Sequence, residues 1–296
     1  MFMKKYLSYL ESFSLINDRL ERTRKLWSKN EKIMTEEKTI DFIKNNCKDF
    51  LENPVCITRT IYNDEIDFFY SEPIQRHSLE NLNFYNLIID NSIMWNGYPK
   101  RLKSFCCTLY GRSQLGDITY FVIPVDNSKW GLCTGSDLFV SFTKFIKETG
   151  FYINDFFNDF YDFVKDEIGM ELNDVNYQTF KEQILKVETM LDENSDLRYD
   201  FIENFGLYDD NEIGLFNTIE NLMNPKINDF EICTLKDMYN NDYPKQNVLN
   251  RINRECWTES PCIFIRRCPN NKEFFAKLNL DFVEYGWRND NYIDKK

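Results

Sequence analysis

Glycine is scarce in this 296-residue chain, ten residues in all, and neither G-x-x-x-x-G-K-[ST] nor G-x-G-x-x-G occurs. The common glycine-built cradles for nucleotide phosphates are therefore excluded. Histidine is scarcer still, with His77 alone. A single imidazole rules out H-E-x-x-H zinc sites and any centre that draws two histidines from one chain. A Ser-His-Asp or Cys-His arrangement would have to use His77, which sits in the polar stretch Gln75-Arg76-His77-Ser78 after Pro73 and reads as a loop residue. No apolar run approaches the roughly 20 residues needed to span a bilayer, so no membrane partner is expected. Residues 1–18 mix Lys, Tyr, Leu, Ser and Glu and lack the apolar centre of a secretory leader. There is no internal repeat and no low-complexity segment.

Positive charge is also in deficit. Lys and Arg number 36 against 48 Asp and Glu, for a net charge of −12. Nucleic-acid affinity comes from neutralising phosphates, so direct nucleic-acid binding is not expected. A basic protein surface, including one that itself binds nucleic acid, is a compatible partner. The hydrophobic fraction of 43% is that of a globular protein, and the length allows one large or two smaller domains. Aromatics are plentiful, with 26 Phe and 17 Tyr. Together with abundant Lys, Asn and Ile, they fit the coding bias of a low-GC bacterium or its phage.

Cysteines lie at 47, 56, 106, 107, 133, 233, 256, 262 and 268. The count is odd, most sit inside apolar runs and no C-x-x-C pair is present, so reduced, buried cysteines of a cytosolic protein are expected. Cys256, Cys262 and Cys268 are evenly spaced; ordinary strand cysteines and a zinc site are the two readings there.

Along the chain, apolar residues recur at helical spacing over residues 4–30 and again over 39–51, where Asn53-Pro54 ends the pattern. Residues 55–62 read as a β-branched strand. A helix is expected over 80–95 and strands over 104–109 and 118–125, followed by a polar hairpin turn at Asp126-Asn127-Ser128-Lys129. A helix over 137–149 ends at Gly150. Residues 151–225 differ in character. Phe156, Phe157, Phe160, Phe163, Val164 and Ile168 form one helical stripe, and Tyr177, Phe180, Ile184, Val187 and Leu191 another, with Asp and Glu crowding the remaining positions. A strong strand is expected over 262–267, a short helix over 270–278 and a last strand over 282–285. These readings amount to an α+β protein: a mixed β core with flanking helices and an acidic helical insertion. The divisions expected are 1–53 (amino-terminal helices), 54–150 (first part of the core), 151–225 (acidic helical subdomain) and 226–296 (second part of the core).

Several clusters invite a functional reading. Lys100, Arg101 and Lys103 precede Ser104 at a strand start and read either as an anion contact or, preferred here, as a solvated strand entrance. Arg266-Arg267 at the end of a strand reads as solvated surface. Asp155, Asp159, Asp162 and Asp166 fall on one helix face, opposite the Phe stripe. Metal binding needs carboxylates converging from different elements, so this row reads as a solvated face or as an interface for a basic surface.

Arg59 on a first strand, Ser104 or Thr108 on a second, and Glu255 or Glu259 later resemble the pattern of ADP-ribosyltransferases. That resemblance implies that Arg59 would grip the anionic part of NAD, the hydroxyl would orient the nicotinamide ribose, and the glutamate would stabilise an oxocarbenium-like transition state. The chain departs from the pattern in having Thr60 after the arginine, Phe105-Cys106-Cys107-Thr108 in place of the hydroxyl triplet, and glutamates four residues apart rather than two. As a whole, in size, acidity and the pairing of a β core with an acidic helical arm, the chain is similar to the phage anti-Gabija inhibitor family. That likeness carries over no individual residue. It implies a non-enzymatic anti-defence inhibitor, without cofactor, acting in the host cytoplasm as a homo-oligomer that encloses a host nuclease complex and blocks its access to DNA.

Overall fold

The computed structural model describes residues 31–61, 66–75, 82–109, 118–207, 213–242, 253–268 and 272–280. The expected helix over 4–30, the expected strand over 282–285 and His77 lie outside the described residues.

The fold is α+β, built on one nine-stranded sheet in which every strand pairing is antiparallel. In chain order the strands are β1 (Lys32–Ile33), β2 (Ile57–Thr60), β3 (Phe68–Ser71), β4 (Phe105–Leu109), β5 (Thr119–Pro124), β6 (Trp130–Leu132), β7 (Glu231–Cys233), β8 (Arg254–Thr258) and β9 (Cys262–Arg266). They lie side by side in the order β1-β3-β9-β5-β2-β4-β8-β6-β7. The helices are α1 (Glu36–Asn46), α2 (Lys48–Glu52), α3 (Phe84–Asn91), α4 (Leu138–Ser141), α5 (Thr143–Thr149), α6 (Ile153–Phe163), α7 (Tyr177–Glu193), α8 (Ser195–Phe205), α9 (Leu215–Leu222), α10 (Leu235–Asp242) and α11 (Lys272–Lys277).

Local chemistry sets several of these boundaries. Thr35 caps α1, its hydroxyl accepting from the Lys38 N–H, and Glu36 and Glu37 complement the positive end of the helix. The expected helix over 39–51 is broken at Cys47 because the β5–β6 turn docks there. The Asp126 carboxylate accepts from the Asp49 N–H at 2.9 Å, and the Asp49 carboxylate accepts from the Asn127 N–H at 2.7 Å. Gly150 ends α5 in the left-handed region, with φ 79°, a conformation that a Cβ would penalise.

The buried apolar residues form two clusters. One joins Ile43 of α1, Cys47 at the break, Phe50 of α2, Leu235 and Met238 of α10, and Phe274 and Phe275 of α11 to most of the buried apolar strand residues. All six residues of β5 are buried, the mark of a central strand covered on both faces. The other cluster joins α3 through α9 to Trp257 of β8. Phe156, Phe157 and Phe160 are buried in it, so the phenylalanine stripe of α6 is core. Rings from α6 and α8 interlock, with Phe163 against both Phe201 and Phe205 at 5.6 and 5.5 Å between centroids. The helices of 151–225 thus share their core with residues 84–102 and with the sheet, through Trp257.

Strand alternation then places the candidate-site residues. Cys106, Thr108, Glu255 and Trp257 project from one face of β4 and β8, and Phe105, Cys107, Leu109 and Cys256 from the other. The first face meets the helical cluster.

Candidate functional site

Among the described residues, a dense group of buried charge lies where α3, the turn before β4 and strand β8 meet. It starts with Asp90, in the last turn of α3 and buried. Its carboxylate accepts from the backbone N–H groups of Arg101, at 2.5 Å, and Leu102, at 3.0 Å. Its carbonyl accepts from the Lys100 ammonium. These bonds fasten the 3-10 turn Arg101–Lys103 to α3 and turn the Arg101 side chain toward β8. There one Nη donates to Glu255 Oε1, and the other donates to Asn86 Oδ1 at 3.3 Å. The second Glu255 oxygen accepts from the Leu138 N–H at 2.8 Å, at the start of α4.

The loop between β6 and α4 wraps the same glutamate. The Cys133 N–H donates to the Glu255 carbonyl at 2.8 Å, and the Glu255 N–H donates to the Gly135 carbonyl at 3.1 Å. The side chains of Arg101 and Glu255 are 11% and 12% exposed, so the ion pair sits largely out of water.

Burial opposes the charge on Arg101, but Cys106, Glu255 and Tyr85 around it hold the guanidinium protonated, above its ordinary value. Burial raises Asp90 above the usual aspartate range, against the pull of the Leu102 and Arg101 N–H donors. It also raises Asp137, and it raises Cys133 well above the usual thiol value, with Glu255 adding to both. A thiol held protonated is a poor nucleophile. The same holds for Cys47, pushed by burial up to about 12, and for Cys256 and Cys262.

The residues singled out in the sequence are distributed as follows. Thr108 stands directly across from Glu255 in the β4–β8 register. Arg59 lies on the other side of the sheet: its neighbour Thr58 pairs with Thr108, and alternation sends Arg59 to the Phe105 face. There its guanidinium donates to the Cys106 carbonyl at 2.7 Å and lies 5.8 Å from the Phe105 ring centroid. Ser104 is buried, and its hydroxyl donates to the Lys100 carbonyl at 2.7 Å. Glu259 is exposed in the turn after β8, about 13 Å along the chain from Glu255 at strand rise. Arg59 and Glu255 are therefore not brought together, whereas Thr108 and Glu255 are.

The basic cluster splits three ways. Lys100 binds Asp90, Arg101 binds Glu255 and Lys103 is exposed. The reading of this cluster as a solvated strand entrance holds for Lys103 only, because burying Arg101 demanded a carboxylate partner. Arg266 lies 3.8 Å from Asp67 across a half-exposed gap. Cys256 and Cys262 are buried in the apolar core, and no metal-holding group of His, Cys, Asp and Glu occurs among the described residues. Asp155, Asp159, Asp162 and Asp166 are all exposed, the first three on α6 and the last in the π-helical turn Val164–Ile168 that continues it.

Sequence reasoning missed Asp90, Asn86 and Leu138 as members of the cluster. The available signal was Asp90 itself, a charge closing the apolar run Leu87-Ile88-Ile89. A carboxylate on that side of a buried helix needs donors. Chemically, the arrangement is a bracket. Both glutamate oxygens are engaged, and the pair joins α3, α4 and β8. No described helix is long and apolar enough to cross a membrane. No protein-family model, curated protein or solved structure matches this chain.

Proposed function

We propose that this chain is a phage-encoded inhibitor of a bacterial antiviral defence complex, acting in the host cytoplasm by binding protein. In this reading its acidic helices dock on the basic, DNA-binding surface of a nuclease, and a homo-oligomer encloses the complex and keeps nucleic acid out. The observation that carries it is the exposed row Asp155, Asp159, Asp162 and Asp166, held on the outside of a helix whose phenylalanines are locked in the core. Spacings of four, three and four residues place these carboxylates on one face. Like charges so spaced destabilise a helix by about 0.2–0.5 kcal/mol per pair, and none of the four makes an ion pair among the described residues. A basic partner would relieve that repulsion, steer the encounter and compete with DNA phosphates for the same surface.

The Arg101–Glu255 bracket adds support, because it engages internally Glu255, one of the two glutamates that a transferase reading would assign to catalysis. The test is a pull-down from a host expressing antiviral defence complexes, at low and moderate salt, followed by DNA-binding assays on what is retained. Retention of a nuclease complex with lost DNA affinity is expected. Failure to retain any partner at either salt concentration refutes the reading.

One observation favours the second reading, an ADP-ribosyltransferase-like enzyme: Thr108 and Glu255 are cross-strand neighbours on one face. It requires an anion grip other than Arg59 and release of Glu255 from Arg101. Calorimetric titration with NAD separates the two readings. Saturable binding, lost on Glu255→Gln with the fold intact, supports the enzyme. No heat of binding is expected.

A further inference from the structure

We propose that β7 is a self-association edge, through which two copies of this chain pair antiparallel about a two-fold axis centred on Ile232 and join their sheets. The proposal rests on the oligomeric part of the reading above and assigns it a surface.

Among the described residues β7 is the last strand of the sheet, paired to β6 on one side only. The direction of its free backbone groups follows from the neighbouring ladder. The Cys133 N–H bonds to Glu255 of β8. Backbone groups alternate sides along a strand, so Gly131 also faces β8, while Trp130 and Leu132 face β7. Their register partners are Cys233 and Glu231. Those two residues therefore direct their N–H and C=O groups at β6, and Ile232 between them directs both outward. No described residue bonds to those outward groups.

The chemistry around them is apolar. Ile232 is 45% exposed, Ile93 is 83% exposed and Ile227 is 46% exposed. Ile93 opens the turn that runs to Gly97, where an added Cβ would lie 3.5 Å from Ile232 Cδ1. Ile227 lies in the turn closed by the Phe230 N–H to Pro225 carbonyl bond, immediately before β7.

Of the devices that guard open edges, β7 has its shortness and one acidic residue, and it lacks lysine, proline and a bulge: it reads Glu-Ile-Cys. Its one charge is already matched, because Glu231 accepts from Arg254 at 2.5 Å. Two such edges meet without uncompensated like charge, despite the net charge of −12 on each chain. About a two-fold axis, Ile232 of one copy exchanges two N–H···O bonds with Ile232 of the other, and the two isoleucine side chains fall on the same face. A foreign peptide would gain only that pair of hydrogen bonds from so short an edge. A second copy adds the flanking isoleucines twice over, which makes it the occupant.

The test is light scattering on the full chain. Ile232→Pro removes the outward N–H and leaves the β6 ladder whole, since proline is tolerated where a strand N–H faces solvent. Ile232→Lys places a charge at the centre of the pairing. Ile232→Cys gives an independent readout, because hydrogen-bonded antiparallel partners sit about 5.5 Å apart at Cα, within disulfide reach. The expected result is a wild-type dimer or an even multiple of it, halved in mass by both Pro and Lys variants at unchanged circular dichroism. A covalent dimer should form on mild oxidation of the Cys variant and not of the wild type. Should Ile232→Pro unfold, the Lys variant and the cross-link decide. Wild-type oligomers that survive Ile232→Lys and give no cross-link overturn this edge and leave the oligomeric reading standing. A wild type that is monomeric at all concentrations overturns both.

Discussion

Replacing Glu255 by alanine strands Arg101. Its guanidinium sits in a setting 11% exposed, with a neutral Asn86 amide oxygen at 3.3 Å as its remaining side-chain acceptor. Removing one partner of a buried ion pair costs about 3–5 kcal/mol. The Leu138 N–H loses its acceptor as well, a further penalty of about 1–3 kcal/mol if water does not reach it. Global stabilities of about 5–15 kcal/mol are usual, so the loss is a large share of the whole. Urea unfolding followed by tryptophan fluorescence and by circular dichroism should therefore show a drop of at least about 3 kcal/mol for Glu255→Ala. The double substitution Arg101→Met with Glu255→Leu removes both charges, and exchanging a buried pair for apolar groups is often neutral or better. It should recover most of the loss, short of the penalty at Leu138. The reasoning is refuted if Glu255→Ala costs under about 1 kcal/mol, or if the double variant is worse than the single one. The first outcome would also reopen Glu255 as a removable catalytic residue.

Other consequences follow from packing and titration. Gly131→Ala puts a Cβ 2.3 Å from ring atoms of Trp257, whose indole N–H is fixed to the Pro99 carbonyl at 2.8 Å; thermal unfolding should show a loss of at least about 1–3 kcal/mol, with a shifted tryptophan emission. Iodoacetamide should label Cys106 and Cys268, the two half-buried thiols, well before the seven buried ones, and peptide mapping that finds Cys133 or Cys256 labelled first in folded protein would contradict the burial assigned to them. The folded-state pKa of Asp137 is raised above the ordinary 3.8, by burial first and by Glu255. Above 3.8 the folded chain then holds more protons than the unfolded one, so this residue's contribution to stability falls as pH rises through that window. Asp137→Asn, which still caps the Phe139 N–H, should flatten that slope; an unchanged slope would count against the shift.

The parts of the fold legible in the sequence were those with a strong local signal. β4, β5 and β9 are runs of apolar and β-branched residues long enough for strand character to declare itself, and Gly150 marked the end of α5. β6 and β7 have three residues each, too few for a period of two to register. β8 carries Arg254, Glu255 and Trp257 and resembles a polar loop until β4 and β6 are placed on either side of it. The break at Cys47 is imposed by a turn far along the chain, with Asp126 bonded 77 residues away. The candidate site was legible in halves: Arg101 stood out in its basic cluster, and Glu255 as one of two acids, with Glu259, before an apolar strand. Their union spans 154 residues and follows only from the order of the strands, which no local pattern encodes. Alternation along β2 likewise separates Arg59 from Glu255, a consequence of register that spacing alone did not reveal.

Under the proposed function, the acidic face of α6 and its π-helical extension competes with DNA for a basic surface. This competition is tested most directly by measuring a defence nuclease's affinity for DNA against increasing amounts of this chain and of its Asp155→Asn, Asp159→Asn, Asp162→Asn and Asp166→Asn quadruple variant. All four side chains are exposed, so the variant should keep its fold and melting temperature while its net charge moves from −12 to −8, four negative charges fewer. The account predicts that the wild type abolishes DNA binding, that its potency falls as salt rises, and that the quadruple variant is at least about tenfold weaker, the equivalent of about 1.4 kcal/mol. Equal potency of wild type and variant across the salt range, or DNA affinity untouched by either, would contradict it.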